Sequence, residues 1–382
     1  MRFLLLGCGL VGHAIAHFLV NSPIVHELII LDRDEERLRS IASRLQSDKV
    51  EYLTGDASNS SFLSRIMDRT DIVIDALPGN LGYNAMKTAI DSGVNIVDIS
   101  YMPENPLTLN DLAKQRGVLA IPDAGLAPGL SNLLVGHATS LLDTIDSVRI
   151  LVGGLPQKRD PPLEYCTTWS ITDLIEEYTR PARIVRDGKI ISVPALTGLE
   201  RVQFEELGEL EAFYTDGLRT LLYTIKARNM EEKTLRYPGH AEKIRLLIEL
   251  GFFDTDSIKI KDTSITPRDF TIELLRRKII CTDEKDLVVM RVSISGEKAG
   301  DRIKIIYDLI DYFDEKTSLT AMSRTTGFTA SIIAQLVAQK ILRGSGVMPL
   351  ELIGQNPVIF NKMLSELNAH GINIREKIQM LR

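Results

Sequence analysis

At 382 residues the chain is too long for one compact core and long enough for two or three domains. Its 44% apolar and 25% charged composition is that of a globular protein, and a net charge of −6 argues against an extended nucleic-acid surface, which requires a basic balance. The three cysteines, Cys8, Cys166 and Cys281, are widely spaced and form no CxxC pair or Cys/His cluster, so no metal site and no disulfide framework is expected, and a reducing cytoplasm is the expected compartment.

The chain opens on Met1-Arg2-Phe3-Leu4-Leu5-Leu6, an apolar run that stops at Gly7 and reads as a strand, not a cleavable leader. No segment reaches the ~20 uninterrupted apolar residues of a membrane helix, so no membrane association is expected. Over the first 120 or so residues, apolar runs at 3–6, 28–31, 72–75, 96–99 and 119–121, with a weaker one at 51–53, alternate with helical periods such as 13–20 and 35–46. That alternation predicts βαβ units and a parallel sheet. From Asp123 to Gly129 the chain is a loop, and an apolar helix follows to about residue 142. From residue 148 to about 295 the pattern turns α+β, with strands at 148–152, 190–193, 201–204 and 287–295. From Arg302 onward the sequence reads as helical. Residues 318–342 form two helices divided at Thr326-Gly327-Phe328-Thr329, and 357–375 form one more, followed by a short strand or coil.

The expected fold is therefore α/β: an N-terminal Rossmann domain, an inserted α+β domain, and C-terminal helices returning to the first. The expected boundaries are 1–124 plus about 325–382 for the Rossmann domain, and 125–324 for a substrate-binding and dimerisation domain.

Gly7-Cys8-Gly9-Leu10-Val11-Gly12 follows the first strand and opens a helix. Gly7 makes the tight turn, Gly9 admits a pyrophosphate to the backbone, and Gly12 lets the helix pack on the strand. Asp32 stands twenty residues beyond Gly12, where a carboxylate accepts hydrogen bonds from the adenosine ribose hydroxyls. Together they indicate a dinucleotide site. The Asp32 carboxylate repels a ribose 2′-phosphate and favours NAD, while the adjacent Arg33 leaves NADP open. Asp56-Ala57 and Leu77-Pro78-Gly79, on the loops after the third and fourth strands, complete the cofactor residues. Asp98-Ile99-Ser100-Tyr101 and the Asp123–Gly129 loop converge on the same sheet edge, where ligands of open α/β sheets bind.

These segments resemble the glutamate-forming saccharopine dehydrogenase family, and the central block resembles its lysine 6-dehydrogenase branch. That second likeness rests on Thr168-Trp169-Ser170, on the run from Leu174 to Ala182, on Ala212–Leu218, and above all on Lys233-Thr234-Leu235-Arg236-Tyr237-Pro238-Gly239-His240. The resemblance implies a saccharopine reductase-like fold and hydride transfer from a nitrogen-bearing carbon of an amino acid to NAD(P)+. The lysine branch implies oxidative deamination of the ε-amine; relatives acting on saccharopine or carboxynorspermidine are the alternatives.

An amino-acid carboxylate calls for an arginine fork, and Arg236 lies in the most specific motif. A structural pairing with an acid such as Glu211 is the competing reading. Asp98, Asp123 and Glu164 are the carboxylates available to an ammonium, and each is equally suited to capping or turn formation. His240 is the candidate general base, against a purely structural histidine, and Tyr101 either donates a hydrogen bond or covers the ring. The partners expected are a small amino-acid substrate and a second copy of the chain. A competing class is a redox-sensing DNA-binding regulator, suggested by a helix-turn-helix-like stretch at 320–340, or a catalytically silent NAD-binding protein. The stretch 331–340 has a single cationic residue, which argues for a buried helix.

Overall fold

A computed structural model describes residues 1–279 and 285–381. The first sheet is built from β1 (Arg2–Leu6), β2 (Glu27–Asp32), β3 (Val50–Thr54), β4 (Ile72–Asp75), β5 (Asn95–Asp98) and β6 (Leu119–Ile121). All run parallel in the order 6-5-4-1-2-3, the doubly wound arrangement whose order reverses between β1 and β4. Helices α1 (Leu10–Val20), α2 (Glu35–Leu45), α3 (Ser60–Met67), α4 (Gly79–Asp91) and α5 (Asn110–Arg116) connect them. Because both faces are covered, β1 and β2 are almost wholly apolar, as parallel strands must be.

After α6 (Leu130–Ser140) the chain enters a nine-stranded mixed sheet. Its strands are β7 (Thr144–Pro156), β8 (Ala182–Arg186), β9 (Lys189–Val193), β10 (Glu200–Phe204), β11 (Gly208–Tyr214), β12 (Asn229–Arg236), and, past a small hairpin β13 (Ile258–Ile260) and β14 (Thr263–Ile265), β15 (Asp286–Lys298) and β16 (Asp301–Tyr312). The last member is the C-terminal strand Ile374–Met380. Helix α7 (Ile171–Thr179) packs over β11 through Tyr178 and Phe213, whose rings stand 6.5 Å apart.

Four expectations from the sequence are corrected. The segment after Arg302 is not helical: Asp301–Tyr312 alternates buried and half-exposed residues and pairs along its length with β15. Residues 321–338 form one unbroken helix, almost entirely buried, instead of two. Gly327, taken as a turn, lies inside that helix, because a Cβ there would stand 3.2 Å from Ile15 and from the Val11 carbonyl of α1. A recognition helix cannot be buried this way, so the regulator reading loses its basis. The C-terminal tail is divided between the domains: Gly346–Val347 joins the parallel sheet beside β6, whereas Ile374–Met380 pairs with β16 of the second sheet. Finally, Cys166 is disulfide-bonded, against the expectation of reduced thiols, while Cys8 is a free buried thiol; Cys281 lies outside the described residues.

Candidate active site

The dinucleotide loop is built as its glycines require. Gly7 has φ +89°, and a Cβ on it would meet the Ala76 carbonyl at 2.7 Å. A Cβ on Gly12 would lie 2.2 Å from the Gly7 carbonyl, so the helix touches the strand. A Cβ on Gly9 would meet nothing within 4 Å. The one glycine of the three that faces open space is the one expected to face a pyrophosphate, and α1 begins there, at Leu10 and Val11, with no side-chain cap on its N–H groups. Asp32 accepts from the Cys8 N–H at 2.8 Å and the Asp34 N–H at 2.9 Å, one bond to each oxygen, leaving lone pairs for a ribose. Burial beside Asp32 pushes the Cys8 thiol up to about 12, so it stays protonated and unreactive. Arg33 and Asp56 are exposed beyond this loop and Ala57 is buried. The residues present therefore fit a dinucleotide.

The next two strand ends carry a carboxyl pair, Asp75 and Asp98, of which only Asp98 was expected at the site. The two are directly opposed in register and wholly buried. Burial raises both, and the repulsion of Asp75 raises Asp98 further. The two carboxyls hydrogen-bond to each other, which requires one of them to carry a proton, and the Oδ2 atom of each is buried with no other partner. The outer oxygens accept the N–H groups of Leu77 (2.9 Å) and Ser100 (3.3 Å). Asp98, expected to meet substrate, is thus a buried tie between the cofactor loop and the Tyr101 loop. Gly79 joins the same two loops, since a Cβ there would lie 2.8 Å from the Tyr101 carbonyl, and so Leu77-Pro78-Gly79 packs directly on Tyr101.

Beyond Tyr101 begins a cluster of charges supplied by both domains. Asp123 pairs with Arg219, whose Nε lies 3.2 and 3.3 Å from the two carboxylate oxygens, and both side chains are buried. The guanidinium carbons of Arg219 and Arg180 lie 5.3 and 4.9 Å from the centre of the Tyr101 ring. Arg219 Nη2 and Arg180 Nη1 are buried without a hydrogen-bond partner. The Tyr101 hydroxyl donates to the Asp216 carbonyl at 3.1 Å, and the Asp216 carboxylate is held by both Nε and Nη2 of Arg183 at 2.9 and 2.8 Å.

The pleat of the second sheet explains the rest. Residues 213 and 215 of the β11 chain face 234 and 232 of β12, so Phe213, Thr215, Glu232, Thr234 and Arg236 share one face. Helix α7 covers this face with Glu177 and Tyr178. Arg236 Nη2 lies 3.1 Å from Glu177 Oε2, Nη1 donates to the Leu235 carbonyl at 2.9 Å, and the guanidinium stacks on Tyr165 at 4.5 Å. The expected partner Glu211 instead accepts the Gly239 and Ala241 N–H groups at the start of helix His240–Glu249.

The structure ties two of the expected residues to neighbours. Arg236 is bonded to Glu177 and the Leu235 carbonyl while its Nε is buried without a partner, and the unpaired guanidinium donors beside Tyr101 belong to Arg180 and Arg219. His240 is buried, with Nε2 2.8 Å from the Tyr178 hydroxyl and Nδ1 3.1 Å from the Leu163 carbonyl. Nδ1 must donate to that carbonyl, so Nε2 accepts, and burial with the nearby Arg236 pushes the group down to about 3. It is a neutral structural histidine. Glu164 lies outside the cluster, paired with Arg159 and Lys243. The residues missed, Asp75, Glu177, Arg180, Asp216, Arg219 and Glu232, carry one readable signal: Glu232-x-Thr234-x-Arg236 places three polar groups on the same side of a strand.

The comparisons with known proteins agree with this layout. Residues 3–121 match the family model described as the saccharopine dehydrogenase NADP binding domain, and residues 125–372 match that of the saccharopine dehydrogenase C-terminal domain. The chain belongs to the saccharopine dehydrogenase family. Within this family of NAD(P)-dependent oxidoreductases, the chain is 25% identical over 310 residues to an alpha-aminoadipic semialdehyde synthase of Rattus norvegicus, covering 78% of this chain but only 32% of that protein. The glutamate-forming NADP+ saccharopine dehydrogenase of Saccharomyces cerevisiae is 23% identical over 450 residues, with 98% of both chains covered. Carboxynorspermidine synthase of Vibrio cholerae is 21% identical, covering 94% of each. The solved apo form of the glutamate-forming yeast enzyme has the same fold, with a TM-score of 0.80 over 99% of both chains at 21% identity.

Proposed function

We propose that this family member is an NAD-dependent oxidoreductase acting on the amine of an amino acid with one carboxylate, most simply the ε-amine of lysine. The observation that carries the reading is the pair of arginines over Tyr101, Arg180 and Arg219, each with a buried guanidinium nitrogen that has no partner among the described residues. The unpaired N–H groups of Arg180 and Arg219 are the donors that a single carboxylate would satisfy.

Within this reading Arg180 and Arg219 hold the carboxylate. Tyr101, fixed by its bond to the Asp216 carbonyl, forms a wall between the arginines and the cofactor loop. Asp123 is the anion on the loop edge available to the amine nitrogen. When bound, the nicotinamide accepts a hydride from the carbon bearing that nitrogen. The Asp32 carboxylate supports NAD over NADP. The homodimer and the cytoplasmic location expected from the sequence stay part of this proposal, and light scattering on the purified chain tests the first.

A second reading, oxidation of saccharopine, has the yeast relative's name in its favour. Saccharopine carries three carboxylates, of which the two unpaired guanidinium donors beside Tyr101 would hold one. NAD reduction at 340 nm across lysine, saccharopine and carboxynorspermidine at alkaline pH decides between them. Turnover of lysine alone supports the proposal, and turnover of saccharopine with lysine inert overturns it. Arg180→Gln should raise KM for the amino acid about tenfold or more while leaving KM for NAD unchanged, the loss of one charge-assisted bond.

A further inference from the structure

The face shared by β11 and β12, with the helix that covers it, holds four side chains that the reaction as described leaves unused. Glu232 Oε2 lies 2.6 Å from Thr215 Oγ1, Thr215 Oγ1 lies 2.9 Å from Thr234 Oγ1, and Thr234 Oγ1 makes a short contact with Glu177 Oε1. All four residues are buried, Glu232 more deeply than Glu177. These are three oxygen–oxygen contacts at hydrogen-bond distance, and two threonine hydroxyls supply only two hydrogens. With both carboxyls ionised, one contact has no hydrogen in it. The row is complete only when one carboxyl carries a proton.

We propose that Glu232, Thr215, Thr234 and Glu177 form a proton-conducting row that holds one proton and passes it from the Tyr101 side of the cluster to helix α7. This rests on the reading of the site as one that oxidises an amine, since an amine must shed a proton from its ammonium form before hydride can leave. In the resting arrangement Glu232 carries the proton and donates to Thr215, Thr215 donates to Thr234, and Thr234 donates to the Glu177 carboxylate, which Arg236 holds as an anion. In the shifted arrangement every hydrogen has moved one oxygen along, so that Glu177 is protonated and Glu232 is the anion. The vacated Glu232 carboxylate then takes up the proton shed by the substrate nitrogen, and Glu177 releases its own toward solvent. No bond other than O–H and N–H is made or broken.

The surroundings favour the resting arrangement. Glu232 sits behind Gly217, where a Cβ would lie 2.5 Å from its carboxyl, on the turn whose Asp216 carbonyl receives the Tyr101 hydroxyl. It faces Glu177 on α7, Asp216 on that turn, Tyr101 from the parallel sheet, and the Gly217 N–H at 3.1 Å. Burial, with the Glu177 and Asp216 anions, pushes it up to about 8.

Infrared difference spectroscopy on the full chain tests the resting proton without any substrate. Beside the band of the Asp75–Asp98 pair, which both proteins share, the wild-type spectrum should contain a second protonated-carboxyl band that is lost as pH rises past about 8 and is missing from Glu232→Gln at every pH; a Glu232→Gln spectrum identical to wild type at pH 7 overturns the proposal. Turnover tests the row. Thr215→Val or Thr234→Val should lower kcat at least about tenfold with a larger solvent deuterium effect, as loss of a proton-transfer group does, and Thr215→Ser should restore both. If either valine variant folds and turns over as wild type, the row carries no proton. If no amine is oxidised by the wild type, the substrate reading fails while the infrared result still decides the row.

Discussion

The carboxyl edge of the parallel sheet and the β11–β12 face of the mixed sheet both serve the site, and they are made by opposite means. At the first, function resides in backbone and open space: a turn glycine, uncapped N–H groups, and room in front of Gly9. At the second it resides in long side chains whose charges are matched by residues far away in sequence, Arg219 with Asp123 and Arg236 with Glu177. Where the first region faces open space, at Gly9, an added methyl group changes cofactor affinity and leaves stability alone. A region of the second kind loses stability and function together, because removing one charge strands another.

The contrast is most exposed to failure at Arg219. Arg219→Met leaves Asp123 buried without its cation and should cost about 3–5 kcal/mol of stability in urea unfolding, with loss of turnover. A variant as stable as wild type would mean that the two regions do not differ in this way. A paired substitution sharpens the other side. Gly12→Ala drives a methyl into the Gly7 carbonyl and should lower the melting temperature, whereas Gly9→Ala should leave it unchanged and raise KM for NAD about tenfold.

His240 gives the third prediction. Its folded pKa, near 3, lies below the usual 6.5, so the folded state refuses a proton that the unfolded chain accepts. The stability this represents is complete above pH 6.5 and is lost as pH falls toward 3, by about 2 kcal/mol between pH 7 and 5. His240→Asn should flatten that part of the urea-midpoint profile and leave the acidic limb of kcat/KM in place. A limb abolished in the variant would return His240 to the role of base. The smallest effect is expected at Asp32, where exchange for serine should move the NAD-to-NADP ratio of kcat/KM about tenfold toward NADP, the value of one charge interaction with phosphate.

What could be read in advance follows the same division. The six parallel strands and the fingerprint were legible because a buried parallel strand is a continuous apolar run and a phosphate loop needs glycine at fixed spacing. Residues 301–312 were misread as helix because Asp301–Tyr312 alternates on a short charged background in which helical and strand periods compete. Arg236 was found in its motif but its partner was not, since Glu177 lies 59 residues earlier and nothing local announces the contact. Asp75 escaped because a lone acid at a strand end looks like turn chemistry until Asp98 is seen beside it.

The buried helix Ala321–Ala338 has a consequence for how the protein is made. Its side chains share the core packed on one face of the parallel sheet with α1 and α6, and Gly346–Val347 is the last strand that sheet receives. A ribosome that has delivered the first 121 residues has made every strand that grips the dinucleotide, yet one side of the layer is still bare of its cover. The N-terminal third must therefore wait, apolar surface exposed, for roughly two hundred further residues, the interval in which a nascent chain most needs a chaperone.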